Sequence, residues 1–152
     1  MRIAVCSDHG GYELKMKLIP FIESLGHEPV DFGCYSESSV DYPDLAFPMA
    51  EAVSRGEFER GIAICGTGIG VSICCNKVKG IRCALCGDVL SAELTRRHND
   101  SNVLAMGGRI IGPETAKAIV RAWLDTPFDG GRHEGRINKI TEYENNIGRN
   151  QI

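Results

Sequence analysis

The sequence predicts an α/β protein: a Rossmann-like three-layer sandwich with a five-stranded parallel sheet. Two patterns lead there. Short apolar runs alternate with amphipathic helical stripes along the whole chain, and the connections between them are short, as strand–helix–strand crossovers require. Five such alternations fit within 152 residues, the usual size of one domain, so residues 1–152 are expected to form a single unit.

The first run, Ile3 to Cys6, begins the fold as a buried strand. After Gly10-Gly11, the residues Leu14, Leu18, Phe21, Ile22 and Leu25 recur at helical spacing until Gly26 stops the helix. Pro29 to Phe32 is a second, short strand. Asp41-Tyr42-Pro43-Asp44 opens another helix, with Leu45, Met49, Ala52 and Val53 on one face. Pro48 requires that helix to begin between Asp44 and Phe47, so that the ring falls in the first turn.

Gly61 to Cys65 is the third strand, leading through Gly66-Thr67-Gly68-Ile69-Gly70 into a helix striped by Val71, Cys74, Cys75 and Val78. Ile81 to Leu85 is the fourth strand, Asp88 to His98 a helix, and Val103 to Met106 the fifth strand, ending at Gly107-Gly108. Pro113 starts a helix whose apolar face is Ala116, Ile119, Val120, Trp123 and Leu124. A polar helix from Glu134 to Asn146 closes the chain. It offers only Ile137, Ile140, Tyr143 and Ile147 for burial, so residues 134–147 are expected at a subunit interface.

Composition narrows the function. Lys plus Arg is 17 against 20 Asp plus Glu, a net charge of −3, which argues against a nucleic-acid-coating surface. No apolar run approaches the roughly 18 residues of a membrane span. Met1 to Asp8 is too short and too soon acidic for a secretory signal. Seven cysteines, an odd number scattered through apolar segments, suit a reducing, cytoplasmic setting.

In open α/β sheets, ligands bind beyond the carboxyl ends of the strands. That rule selects Asp8 and His9, the loop Cys65 to Gly70, and Gly107-Gly108-Arg109. The glycines at 66, 68 and 70 permit a tight turn and close backbone approach, and the helix that follows points free N–H groups into the loop. Such a loop holds an anion, either a phosphate or an oxygen that becomes negative during reaction. A cysteine at its mouth has its thiolate favoured by the same N–H groups.

Three familiar phosphate loops fail on spacing. A dinucleotide fingerprint counted from Gly66 would need Gly or Ala where Val71 stands. A Walker loop would need Gly-Lys-Ser/Thr, and a cysteine phosphatase loop would need Arg in place of Val71. The guanidiniums lie elsewhere: Arg132 and Arg136 share a helix face and, with Arg109, could form a fork for a phosphate. His98-Asn99-Asp100 ends a helix on the opposite side of the sheet, so it reaches this site only through a bend or a neighbouring subunit. Cys74-Cys75 with Cys83-x-x-Cys86 has the count for zinc, but adjacent helical cysteines diverge by about 100°. Small buried residues explain them better, and neither metal nor cofactor is expected.

Taken together, Asp8-His9-Gly10-Gly11, Asp41-Tyr42-Pro43, Ile64 to Gly70, Gly80-Ile81-Arg82, Arg97-His98-Asn99-Asp100, Gly107-Gly108-Arg109 and Gly131-Arg132-His133 resemble, in order, the type B ribose-5-phosphate isomerase family. The wider family includes galactose-6-phosphate and allose-6-phosphate isomerases. The resemblance implies metal-independent interconversion of ribose 5-phosphate and ribulose 5-phosphate, in the pentose phosphate pathway, through an enediolate. It implies that Cys65 is the base and that Thr67 orients it. Gly66, Gly68, Ile69 and Gly70, with Asn99, then form the anion hole. His98 and Asp8 would serve ring opening and hydroxyl protons, Tyr42 would line the sugar site, and His9, Arg109, Arg132 and Arg136 would hold the phosphate. It further implies a homodimer, with a tetramer left open, in which the second subunit supplies His98, Asn99 and Arg109. The chain departs from its relatives at Cys6, Cys74, Cys75 and Cys83, where Gly or Ala is common, and at Val89-Leu90, where an aromatic is common. A six-carbon aldose phosphate isomerase and a non-catalytic sugar-phosphate-binding module are the alternatives.

Overall fold

The computed structural model describes residues 1–147; the last part of the expected domain, 148–152, lies outside the described residues. The elements follow in the order β1 (Arg2–Ser7), α1 (Tyr12–Ser24), β2 (Glu28–Asp31), α2 (Tyr42–Ser54), β3 (Arg60–Cys65), α3 (Ile69–Asn76), β4 (Cys83–Leu85), α4 (Val89–Asn99), β5 (Val103–Gly107), α5 (Pro113–Asp125) and α6 (Arg132–Asn146). The five strands form one parallel sheet ordered β2-β1-β3-β5-β4.

The two faces of the sheet carry different side chains because strand residues alternate in direction. Ile3, Val5, Ile62, Ile64, Leu104 and Met106 point to the face covered by α1, α4 and α5. There Trp123 is fully buried, and its Nε1–H donates to Ser101 Oγ at 2.9 Å. Ala4, Cys6, Ala63, Cys65, Val103 and Ala105 point to the other face, under α2 and α3. Small residues dominate that face and let α2 and α3 approach closely. Cys74 and Cys75 belong to this packing, and all seven cysteines are free thiols.

Several boundaries differ from expectation for identifiable reasons. α2 begins at Tyr42, with Pro43 in its first turn, so Pro48 lies in the helix interior. Pro43 is the initiating proline, and α2 accepts the loss of one N–H donor at Pro48. α1 likewise contains Pro20. β4 starts at Cys83, two residues late, because the Arg82 N–H donates to Asn102 Oδ1 at 2.8 Å and the Ile81 N–H closes a turn on Val78 O. α4 starts one residue after Asp88, whose carboxylate caps it by accepting from Ser91 N–H at 2.7 Å. α6 starts at Arg132 and buries only Ile137, against α4. Among the described residues, no helix is long and apolar enough to cross a membrane.

Candidate active site

The sheet order reverses at β1 and β3: α1 leaves β1 over one face, and α3 leaves β3 over the other. The loops after these strands therefore part and open a crevice. Three loops meet there, backbone against backbone. Gly108 N–H donates to Cys65 O at 2.8 Å and Arg109 N–H to Gly66 O at 2.9 Å. A Cβ at Gly10 would lie 3.0 Å from Gly66 N, and one at Gly107 would lie 2.6 Å from Thr67 O. The glycines are there because no side chain fits between the loops.

Cys65 ends β3 with its sulfur at the loop mouth. Gly68 N–H donates to Cys65 Sγ at 3.1 Å, and Ile69 N–H donates to Thr67 Oγ1 at 3.2 Å. Gly68 has φ +80° and caps α3, a conformation that points its N–H back at the sulfur. Its Cβ position lies 2.5 Å from Leu85 Cδ1 and 2.7 Å from the Met106 carbonyl carbon. Gly68→Ala is therefore expected to cost about 2–4 kcal/mol from backbone strain and overpacking together. Urea unfolding would show this as a lower midpoint, and an unchanged midpoint would contradict the packing described.

The sulfur opens on a cavity of about 440 Å³ lined by Asp8, Tyr42, Cys65, Thr67, Ile73 and Arg109, with Gly66, Ile69 and Gly70 completing the wall. The Tyr42 ring lies on Gly70, and the Arg109 guanidinium lies over Gly66. Asp8 is held in place by accepting the Gly11 N–H at 3.1 Å. Arg109 also lines an adjoining cavity of about 300 Å³ with His9, Gly10 and Gly108. One guanidinium thus joins the thiol cavity to the His9 cavity, from the same chain, where the resemblance assigned Arg109 to a second subunit.

The remaining candidates gather elsewhere. His98 ends α4 and stacks on His133 at the start of α6, with ring centroids 4.4 Å apart and planes 15° apart. Asp129 completes the group and pairs with Arg97 at 3.2 Å. Desolvation first, then the charges of His98, Arg132 and Arg136, lowers the pKa of His133. Although His98, Asp129 and His133 lie close enough to suggest a metal, tetrahedral ligation splays two imidazoles apart, whereas these rings are nearly parallel. Arg132 and Arg136 lie near enough to His133 for their charges to act on it. Asn99 lines a third cavity with Arg82, Tyr143 and Glu144. Within one chain, then, the expected fork of Arg109 with Arg132 and Arg136 does not form. Arg132 and Arg136 stand with His98 instead, and none of the three lines the Cys65 cavity.

Sequence reasoning missed one wall residue of the cavity and one buried charge outside it. Ile73 enters the cavity wall from α3, one turn past Ile69. Lys15 is fully buried at the end of β2, paired with Asp31 at 2.7 Å. The Ile69/Ile73 spacing was legible as a second helix face, but nothing local marked Lys15 as buried.

The chain belongs to the Ribose/Galactose Isomerase family, whose model matches residues 3–140, and the thiol at the Cys65–Gly70 loop lies within that match. It is 57% identical over 145 residues to Bacillus subtilis (strain 168) YwlF, provisionally named a sugar phosphate isomerase, covering 95% of this chain and 97% of that protein. It is 47% identical over 143 residues to ribose-5-phosphate isomerase B of Escherichia coli (strain K12), covering 94% of this chain and 96% of that one. The structure of Clostridium thermocellum ribose-5-phosphate isomerase B superposes with a TM-score of 0.94 at 50% identity, covering 95% of this chain and 98% of that chain.

Proposed function

We propose that the protein interconverts ribose 5-phosphate and ribulose 5-phosphate through an enediolate, with Cys65 as the base. The observation that carries this reading is the Cys65 sulfur, which accepts the Gly68 N–H and opens to a cavity that Arg109 connects to His9. The names of the Escherichia coli and Clostridium thermocellum relatives support the substrate.

The reaction follows from these groups. Carbon acids beside a carbonyl are weak, so removing the C2 proton needs a base and a site for the negative oxygen that develops. Asp8 and the partner subunit's His98 open the sugar ring and pass the hydroxyl proton. The Cys65 thiolate takes the C2 proton, and the electron pair moves through C1 onto O1. The N–H groups of the Gly66–Gly70 loop, with Thr67 orienting the thiol and Asn99 of the partner subunit closing the hole, hold that oxygen. A proton passes from O2 to O1, and the thiol returns its own proton to C1. The arginines, with His9, anchor the phosphate and hold the sugar in register.

Supplying His98, Asn99, Arg132 and Arg136 to the Cys65 cavity requires a second copy. The exposed Ile140, Tyr143 and Ile147 of the terminal segment support a homodimer built partly on α6. The seven free cysteines support a reducing, cytoplasmic setting.

A coupled assay across five- and six-carbon aldose phosphates, with chelator present, tests the substrate. Ribose 5-phosphate is expected to show the highest kcat/KM, and a six-carbon sugar turned over faster would replace it. Saturable binding without exchange of the C2 proton in deuterated water would make the protein a binding module instead.

A further inference from the structure

His9 is the one expected phosphate contact whose ring is engaged by the backbone of another element. The loop 32–41, between β2 and α2, crosses in front of it. The Val40 N–H donates to His9 Nδ1 at 3.2 Å. A backbone N–H can only donate, so the ring nitrogen facing it carries no proton. The ring proton then sits on Nε2, which has no hydrogen-bond partner among the described residues. His9 itself lines the cavity it shares with Arg109.

The loop is rooted firmly. Ser7 N–H donates to Gly33 O at 2.6 Å, and Cys34 N–H donates back to Ser7 O at 2.7 Å. Lys15, with no exposed side-chain surface, reaches from α1 to this root: its ammonium donates to Asp31 Oδ1 at 2.7 Å and to the Cys34 carbonyl. Asp31 also accepts the Gly33 N–H at 2.8 Å. The rings of Tyr12 and Tyr35 flank the ammonium at 5.5 and 5.4 Å. A buried charge is retained only where its partners satisfy it, and here both hydrogen-bond partners, Asp31 and the Cys34 carbonyl, lie at or next to the start of the 32–41 loop that carries Val40.

We propose that Val40 and Lys15 are positioning residues for His9: the loop rooted on Lys15 presents the Val40 amide to Nδ1 and so leaves Nε2 as a preset donor to an anion in the Arg109 cavity. The other tautomer would set two N–H groups against each other. The histidine therefore meets its ligand with the donor already in place, and no proton need be rearranged on binding. The consequence for catalysis rests on the proposed phosphate role of His9; the tautomer itself does not.

A scalar coupling measured across the hydrogen bond in uniformly ¹⁵N-labelled protein tests the geometry. The Val40 amide is expected to correlate with His9 Nδ1, with the ring proton on Nε2. A His9 ring protonated at Nδ1, or no correlation from an assigned Val40 amide, overturns the proposal. Lys15→Met is expected to erase the correlation and raise KM for ribose 5-phosphate about fivefold, the size of one hydrogen bond, with kcat little changed. If Lys15→Met does not fold, Val40→Pro removes the donor while keeping the buried ion pair and is expected to raise KM alike. Unchanged KM in a folded variant overturns the positioning role. Wild-type protein that does not isomerise ribose 5-phosphate would sink the functional reading instead, and the correlation would still be scored separately.

Discussion

Cys65→Ala is expected to lower kcat for ribose 5-phosphate by roughly 10²–10⁴-fold, the span covered by loss of a positioned acid–base group. Binding of the sugar phosphate, followed by calorimetry, should persist, because the loop N–H groups and Arg109 remain. Cys65→Ser sharpens the test. It keeps a small acceptor for the Gly68 N–H, 3.1 Å from the sulfur in the wild type, but offers a far less acidic group. Both variants should therefore fail at exchange of the C2 proton. Near-normal turnover in either would remove Cys65 from the base role and shift attention to Asp8, the carboxylate in the same cavity.

Two inactive variants should restore each other. If each site joins Cys65 of one subunit to His98 of the next, then Cys65→Ala and His98→Asn homodimers are both crippled. After unfolding and refolding together, half of the dimers are mixed, and each mixed dimer holds one site with both native residues. Activity should return to about a quarter of wild type under random pairing in a twofold dimer. Failure to rise above the sum of the separate variants, with mixed dimers verified by mass, would show that Cys65 and His98 do not meet across the subunit boundary. The separation of His98 from the Cys65 cavity within one chain motivates this experiment.

Much of this arrangement was legible in the residues. The five strands and the Cys65–Gly70 loop follow from apolar periodicity and glycine spacing, both local properties. The placement of Asp8, Cys65 and Arg109 around one crevice follows from a rule about strand ends that needs no knowledge of strand order. What was not legible depends on partners distant in sequence. Lys15 sits in the helical stripe between Leu14 and Leu18, and nothing nearby announces that Asp31 and the Cys34 carbonyl satisfy it. The arginines were grouped by chemistry, which cannot say that Arg109 turns over Gly66 while Arg132 and Arg136 stand beside His98. Pro48 was judged by propensity alone, and Pro43 had already satisfied the rule for a helix start.

In the proposed reaction the negative oxygen would be received by the Gly66–Gly70 loop, which packs backbone to backbone against the loops of Gly10 and of Gly107-Gly108. Such a loop responds to the reacting end of a sugar and is indifferent to how many carbons follow. On that reading the length of the molecule would be gauged elsewhere, by the span from the thiol to the guanidinium groups. Moving those cations by one carbon–carbon bond would retune the enzyme to a longer or shorter sugar while the proton-transfer machinery stayed as it is.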